Sequence, residues 1–240
     1  MQKTVICHLF YPKIARELLA KLAIIDKHIS RYFINVQGKS NDHYTLMDDI
    51  TADFKNAHVL STSNQGRDIG AKFFLLNLLL QLQTPSDYTL IIHDKASPHL
   101  ENGNFWREEL FKIIDEEYIK NVFKAFSDKP DVGIVCSGKY IQNEYNDVTK
   151  SFMCSSNTQL KEVIKRYNIQ TEDYNFVAGN IFWIRTGLLR DFFSTRSILE
   201  IRSQLEPGNA LDFNKGTFIH SWERAMSWIA TSQGYKIHGI

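Results

Sequence analysis

Two hydrophobic periods take turns along the chain. Residues 3–11, "KTVICHLFY", read as a strand, and "PKIARELLAKLAII" follows with apolar positions three and four apart and Pro12 at its start, as a helix requires. "ISRYFINVQ" (29–37) is rich in β-branched and aromatic residues and reads as a second strand. "NDHYTLMDDITADF" (41–54) predicts a helix, "AHVLST" (57–62) a short third strand, and "DIGAKFFLLNLLLQLQ" (68–83) a strongly apolar helix. "DYTLIIHD" (87–94) is apolar on both faces, the mark of a strand central in a sheet. A long amphipathic helix or helix pair is predicted over 106–128, and "DVGIVCS" (131–137) is a fifth strand. Residues 138–172 are polar and irregular around a helix at "NTQLKEVIKRY". "YNFVAGNIFWIR" (174–185) reads as one strand and "TGLLRDFF" as a helix. "FIHSWERAMSWIATSQGY" (218–235) reads as a helix ended by Gly234, and "KIHGI" begins a last strand.

Strand and helix alternate over the first five strands, which predicts an α/β fold: a mainly parallel sheet with helices on both faces. The 240 residues suit one large domain or two small halves, and the chain reads as a domain of something longer. With 43% hydrophobic and 23% charged residues it has the balance of a soluble globular protein. A formal net charge of +1 gives no reason to expect nucleic acid as a partner. Cys7, Cys136 and Cys154 are widely spaced and form no CxxC pair, so they read as reduced thiols in a cytosolic setting. The N-terminus lacks a cleavage pattern for export, and no run approaches the ~20 apolar residues of a membrane span. The expected location is cytoplasmic.

Ligands of open α/β sheets sit beyond the carboxyl ends of the strands, and three polar clusters fall there. The first is "NQGRDIG", with Asn64, Gly66, Arg67, Asp68 and Gly70 between the third strand and the apolar helix. A glycine-bearing turn into a helix N-terminus presents N–H groups to an anion or a ribose hydroxyl, and Arg67 adds a forked donor for phosphate. The plainer reading is a helix capped by Asp68 with a surface Arg–Asp pair. The second cluster is "HDKASPH", where His93, Asp94, Lys95 and His99 follow the central strand. Asp94 suits a metal or a sugar hydroxyl, Lys95 a phosphate, and the histidines can donate hydrogen bonds. It also reads as an ordinary polar strand end, and its spacing matches no standard zinc pattern. The third is "HSWER": His220, Glu223 and Arg224 share one helix face, and Glu223 suits a general base. A surface helix with a neighbouring charge pair is its plainer reading. Gly179 and Asn180, in the predicted strand 174–185, mark either a bulge or close approach of a ligand.

Together "VICHLFYP", "NQGRDIG", "YTLIIHDKASPH", "NFWREEL", "VAGNIFWIR" and "HSWERAMSWIATSQGYKI" resemble the rhamnan synthesis protein F family of polysaccharide-assembly glycosyltransferases, over residues 3–238. The resemblance implies a bacterial enzyme that builds rhamnose-containing or related cell-surface glycan, such as the O-antigen of lipopolysaccharide. It implies a GT-A-like, Rossmann-like single domain over 1–240, with a nucleotide-sugar-binding half at about 1–137 and an acceptor and catalytic half at about 138–240. By that analogy Asn64, Gly66, Arg67, Asp68, His93, Asp94, Lys95 and His99 bind the donor. Trp106, Arg107, Gly179, Asn180 and His220 line the acceptor side, Glu223 is the base of an inverting transfer, and Asp94 is the second catalytic residue. His93–Asp94–Lys95 takes the place of the usual DxD metal motif but departs from it, since only Asp94 is acidic. Two arrangements remain: Mg or Mn held by Asp94 and the diphosphate, or a metal-free site with Lys95 and Arg67 on the leaving group. The implied partners are a nucleotide-sugar donor and a glycan or lipid-linked glycan acceptor, with peripheral association at the inner face of the cytoplasmic membrane. A non-catalytic sugar-nucleotide or glycan-binding module of a larger assembly protein is the rival reading.

Overall fold

In the computed structural model, residues 1–94, 103–153, 157–208 and 216–240 are described, the side chains of 103 and 104 excepted. The elements in chain order are β1 (Lys3–Leu9), α1 (Pro12–Ile25), β2 (Arg31–Val36), α2 (Asn41–Asp53), β3 (Ala57–Leu60), α3 (Arg67–Gln81), β4 (Tyr88–His93), α4 (Gly103–Phe111), α5 (Glu116–Asp128) and β5 (Val132–Cys136). Then come β6 (Ile141–Asn143), β7 (Tyr145–Asn146), β8 (Ser151–Phe152), α6 (Asn157–Tyr167), β9 (Asn175–Val177), β10 (Phe182–Arg185), α7 (Thr186–Phe193), α8 (Ile198–Ser203), α9 (Phe218–Thr231) and β11 (Lys236–Gly239).

One seven-stranded sheet runs β11-β5-β10-β4-β1-β2-β3. β1 pairs in parallel with β2 and β4, β2 with β3, and β5 with β11, while β10 is antiparallel to both β4 and β5. The fold is thus α/β with a mainly parallel sheet, and the sheet draws strands from both ends of the chain. Side chains alternate across it. Val5, Cys7 and Leu9 of β1 face a core with Leu18 and Leu22 of α1 and Val122 and Phe126 of α5. Ile6 faces the other core, with Phe73 and Leu76 of α3 and Trp222 of α9. Burial of apolar surface on both faces is the main force holding these layers. α1 buries one stripe, Ala15, Leu18, Leu19, Leu22 and Ile25. α3 is buried much more fully because α8 and α9 also pack on it.

One expectation is corrected. The segment 174–185 is not one strand. β9 pairs with β6 in a separate small sheet, and the chain turns before β10 enters the main sheet. Gly179 (φ +85°) and Asn180 (φ +54°) make that turn in left-handed backbone, which ends any strand. Of the two readings of 106–128 the structure has the helix pair, α4 and α5, parted by a 3-10 turn at Lys112–Ile114. Cys7 and Cys136 are buried and unbridged, and Cys154 lies outside the described residues. Among the described residues no helix is long and apolar enough to cross a membrane.

Candidate active site

β1 and β4 end side by side, with His8 opposite His93. Their polar ends meet the start of α3. Lys72, one turn into that helix and 1% exposed, donates to Asp68 Oδ2 at 2.9 Å, to His93 Nδ1 at 2.9 Å and to the carbonyl of Asn180 at 3.1 Å. A buried ammonium is tolerated only with such partners. Because Lys72 donates to Nδ1, a neutral His93 carries its proton on Nε2. His8 Nδ1 lies 2.9 Å from Asn35 Nδ2. Burial pushes the His8 imidazole down to about 4, so it is neutral near pH 7. Burial pushes the Asp68 carboxyl up, but the charges of Lys72, His93 and His8 outweigh this and hold it well below the usual carboxylate range.

The turn at 179–180 joins this cluster to α9. That helix runs beside β9 and grips it at successive turns. Thr231 Oγ1 donates to the Asp173 carbonyl, Ser227 Oγ accepts from Val177 N–H at 3.0 Å, and Glu223 Oε1 accepts from Gly179 N–H at 3.1 Å. Glu223, Ser227 and Thr231 are four residues apart, a polar stripe on one face of a helix that also buries Ile219, Trp222, Met226 and Ile229. Glu223 Oε2 lies 3.0 Å from Arg224, whose Nε is 3.1 Å from the buried carboxylate of Glu144. A continuous polar path thus runs Glu223, Gly179–Asn180, Lys72, then Asp68 and His93. Asp68 and Glu223 are each about a quarter exposed, at 26% and 23%, so the path meets solvent at both carboxylates.

The glycines of the first cluster serve close packing. A Cβ on Gly70 would stand 1.7 Å from the Gln65 carbonyl oxygen, and one on Gly66 (φ +76°) would stand 2.3 Å from Leu205 Cδ1. The loop before α3 is held by residues 202–208: Gly66 N–H donates to the Glu206 carbonyl, Gly208 N–H to the Asn64 carbonyl, and Arg202 to the carbonyls of Ser63 and Gly70. The Glu206 carboxylate accepts from Phe218 and Ile219 N–H at the head of α9. Asp68 does not cap α3; that helix has no side-chain cap, and the carboxylate turns inward to Lys72. Arg67 is half-buried at the first position of α3.

Asp94 is placed differently from its expected metal role. Its two oxygens accept from the N–H groups of Phe10 and Tyr11, fixing the loop between β1 and α1. Burial pushes its carboxyl up to about 7, against the pull of those amides. Among the described residues no group of three or more His, Cys, Asp or Glu side chains is placed to hold a metal ion. The Asp94 oxygens are thus turned to those amides, while Lys72 sets an ammonium at the centre of the neighbouring cluster. Trp106 belongs near the turn, its Cζ2 3.7 Å from a Cβ built on Gly179. Arg107 is not brought there and pairs with Glu17 of α1 at 3.1 Å. His220 is engaged at the α9 cap, its Nδ1 3.0 Å from Thr217 Oγ1. Lys95 and His99 lie outside the described residues. Sequence reasoning missed Lys72, Glu144 and Glu206. The i,i+4 pair Asp68–Lys72 inside an apolar helix was the available signal for the first.

The family described as rhamnan synthesis protein F matches residues 1–235. Two curated relatives, both named "Uncharacterized protein WxcX" and from two strains of Xanthomonas campestris pv. campestris, are 27% and 26% identical over 184 residues. Each match covers 75% of this chain and 25% of the relative, so the chain spans about a quarter of the length of the curated relatives it matches. Among solved structures, mouse xyloside xylosyltransferase 1 in its apo form aligns with all of this chain and 85% of its own, at 9% identity and a TM-score of 0.41.

Proposed function

Since the chain belongs to the rhamnan synthesis protein F family, we propose that it is a glycosyltransferase of polysaccharide synthesis. It moves a sugar, rhamnose or a related one, from a nucleotide-sugar donor to a glycan acceptor, free or lipid-linked. One observation carries the reading: the polar path from Glu223 through the 179–180 turn to Lys72, Asp68 and His93, at the carboxyl ends of β1 and β4.

In the proposed reaction an acceptor hydroxyl attacks the anomeric carbon. The bond from that carbon to the diphosphate oxygen breaks, its electron pair leaving with the nucleoside diphosphate. The hydroxyl proton passes to Glu223. Each carboxylate oxygen has two lone pairs, so Glu223 can accept that proton while keeping Gly179 N–H and Arg224. A single displacement inverts the anomeric centre. Charge develops on the leaving diphosphate, and stabilising it is the larger contribution. Arg67 and Lys95 are assigned to it, with no divalent ion in the scheme.

The test is transfer from a panel of nucleotide sugars, with calorimetry of donor binding in chelator and in Mg²⁺ or Mn²⁺. Glu223→Gln is expected to lose transfer with donor affinity unchanged. Full turnover in that variant removes Glu223 from the chemistry. Nucleotide-sugar binding without turnover on any acceptor favours a binding module of a larger protein. Donor affinity that requires Mg²⁺ or Mn²⁺ overturns the metal-free scheme.

A further inference from the structure

The 179–180 turn holds polar atoms that the path does not use. Asn180 is 1% exposed, and among the described residues neither its Oδ1 nor its Nδ2 has a hydrogen-bond partner. Burying an amide without partners forfeits its hydration with no return. Packing alone gives no reason for it, because an apolar side chain or glycine would fill the place without that loss. The φ of +54° favours glycine still more, although asparagine is among the side chains that tolerate it. The backbone around the amide is fully engaged: the Asn180 carbonyl accepts from Lys72, and Gly179 N–H donates to Glu223. The side chain therefore belongs to the turn whose backbone joins Lys72 to Glu223.

We propose that Asn180 reads the sugar at the reacting position, its amide spanning a vicinal diol with Nδ2 donating to one hydroxyl and Oδ1 accepting from its neighbour. A diol supplies both an acceptor and a donor, which is what the unmet amide lacks. A phosphate diester is disfavoured there, since it offers no donor to the amide oxygen. The inference rests on the glycosyl-transfer reading for its place in the reaction, and two sources carry such a diol: the sugar of the donor and a residue of the acceptor glycan.

Asn180→Gly removes the amide, keeps both backbone hydrogen bonds and suits the positive φ. Calorimetry compares it with wild type on nucleotide sugars, on the matching nucleoside diphosphates and on free oligosaccharides. The expected result is nucleoside diphosphate affinity unchanged within about twofold and affinity for the sugar-bearing ligand reduced about tenfold or more, with a melting temperature at or above wild type. Loss on the nucleotide sugars points to the donor, and loss on the oligosaccharides to the acceptor. Equal sugar affinity in both proteins overturns the proposal, the amide then serving water. An equal loss for nucleoside diphosphate and nucleotide sugar overturns it too, as a nucleotide or structural role. If the glycine variant melts early, Asn180→Ala removes the amide without adding a charge and supplies the same comparison. Oligosaccharide binding that depends on Asn180, in a protein that ignores nucleotide sugars, sinks the transfer reading and keeps this one. A wild type that binds no sugar ligand sinks both.

Discussion

Lys72 Nζ lies 2.9 Å from Asp68 Oδ2, one helical turn away on α3. An i,i+4 pair on a solvent face adds only a few tenths of a kcal/mol, but Lys72 is buried, so the pair sets how Asp68, His93 and the Asn180 carbonyl are held. Removing the ammonium strands three acceptors. Lys72→Met is expected to cost about 3 kcal/mol, at the lower end for a buried pair because water still reaches Asp68. Combined with Asp68→Asn the loss is expected to be smaller than the sum of the singles. Denaturant unfolding of the four proteins measures it, and strict additivity would show that the pair does not couple.

Gly70 and Gly187 make an opposed pair of glycines. The Gly70→Ala methyl would press on the Gln65 carbonyl, which is backbone and cannot rotate away; the expected cost is about 3 kcal/mol. Gly187, in α7, has nothing within 4 Å of a built Cβ, so Gly187→Ala is expected to gain up to about 1 kcal/mol through helix propensity. Melting temperatures moving in opposite directions check both.

Glu144 reaches the proposed base, Glu223, through Arg224. It is 3% exposed, and its Oε2 lies 3.1 Å from the Arg224 Nε while another nitrogen of Arg224 meets Glu223. Glu144→Gln leaves Arg224 with a weaker second partner and frees it to draw Glu223 off Gly179. Transfer is expected to slow roughly tenfold with donor KM unchanged, as a small misplacement of a catalytic group does. A fall in donor affinity with turnover intact would mark Glu144 as purely structural.

His8 carries a pH signature. Its ordinary value of 6.5 is lowered to about 4 by burial. Between those values the unfolded chain binds the proton and the native protein does not, so the His8 contribution is complete above about 6.5 and is lost as pH falls towards 4. The full span is about 3 kcal/mol. Asp94, raised to about 7, binds its proton more tightly when folded and slopes the other way, from its ordinary 3.8 upward. The two oppose each other in the whole protein. The difference between wild type and His8→Asn isolates the histidine: wild type loses stability relative to the variant as pH drops from 6.5 to 4. A flat difference refutes the buried neutral imidazole.

The parallel strands and the helices that cover them were legible because their periods are unbroken, as in the stripe Ala15–Leu18–Leu22–Ile25. The break at Gly179–Asn180 was not, since Val177 and Ile181 on either side keep the apolar run going and only backbone dihedrals mark the turn. Glu223 and Asp68 stood out as charges on apolar helices, and so did the Glu223–Arg224 neighbour pair, yet Lys72 and Glu144 did not. Lys72 looks like any lysine that extends to solvent from a helix, and Glu144 lies in an irregular polar stretch with no period to betray its burial. The glycines of "GRDIG" pointed to an anion-binding loop. Gly66 and Gly70 are there because Leu205 and the Gln65 carbonyl leave no room for a methyl group.

Glu206 fastens two helix starts at once. Its carbonyl fastens the backbone ahead of the helix bearing Asp68, and its carboxylate fastens the amides heading the helix bearing Glu223. Neither helix can shift alone without breaking that rivet. The two move as one piece, and the spacing from Asp68 to Glu223 is inherited from a residue that is neither of them.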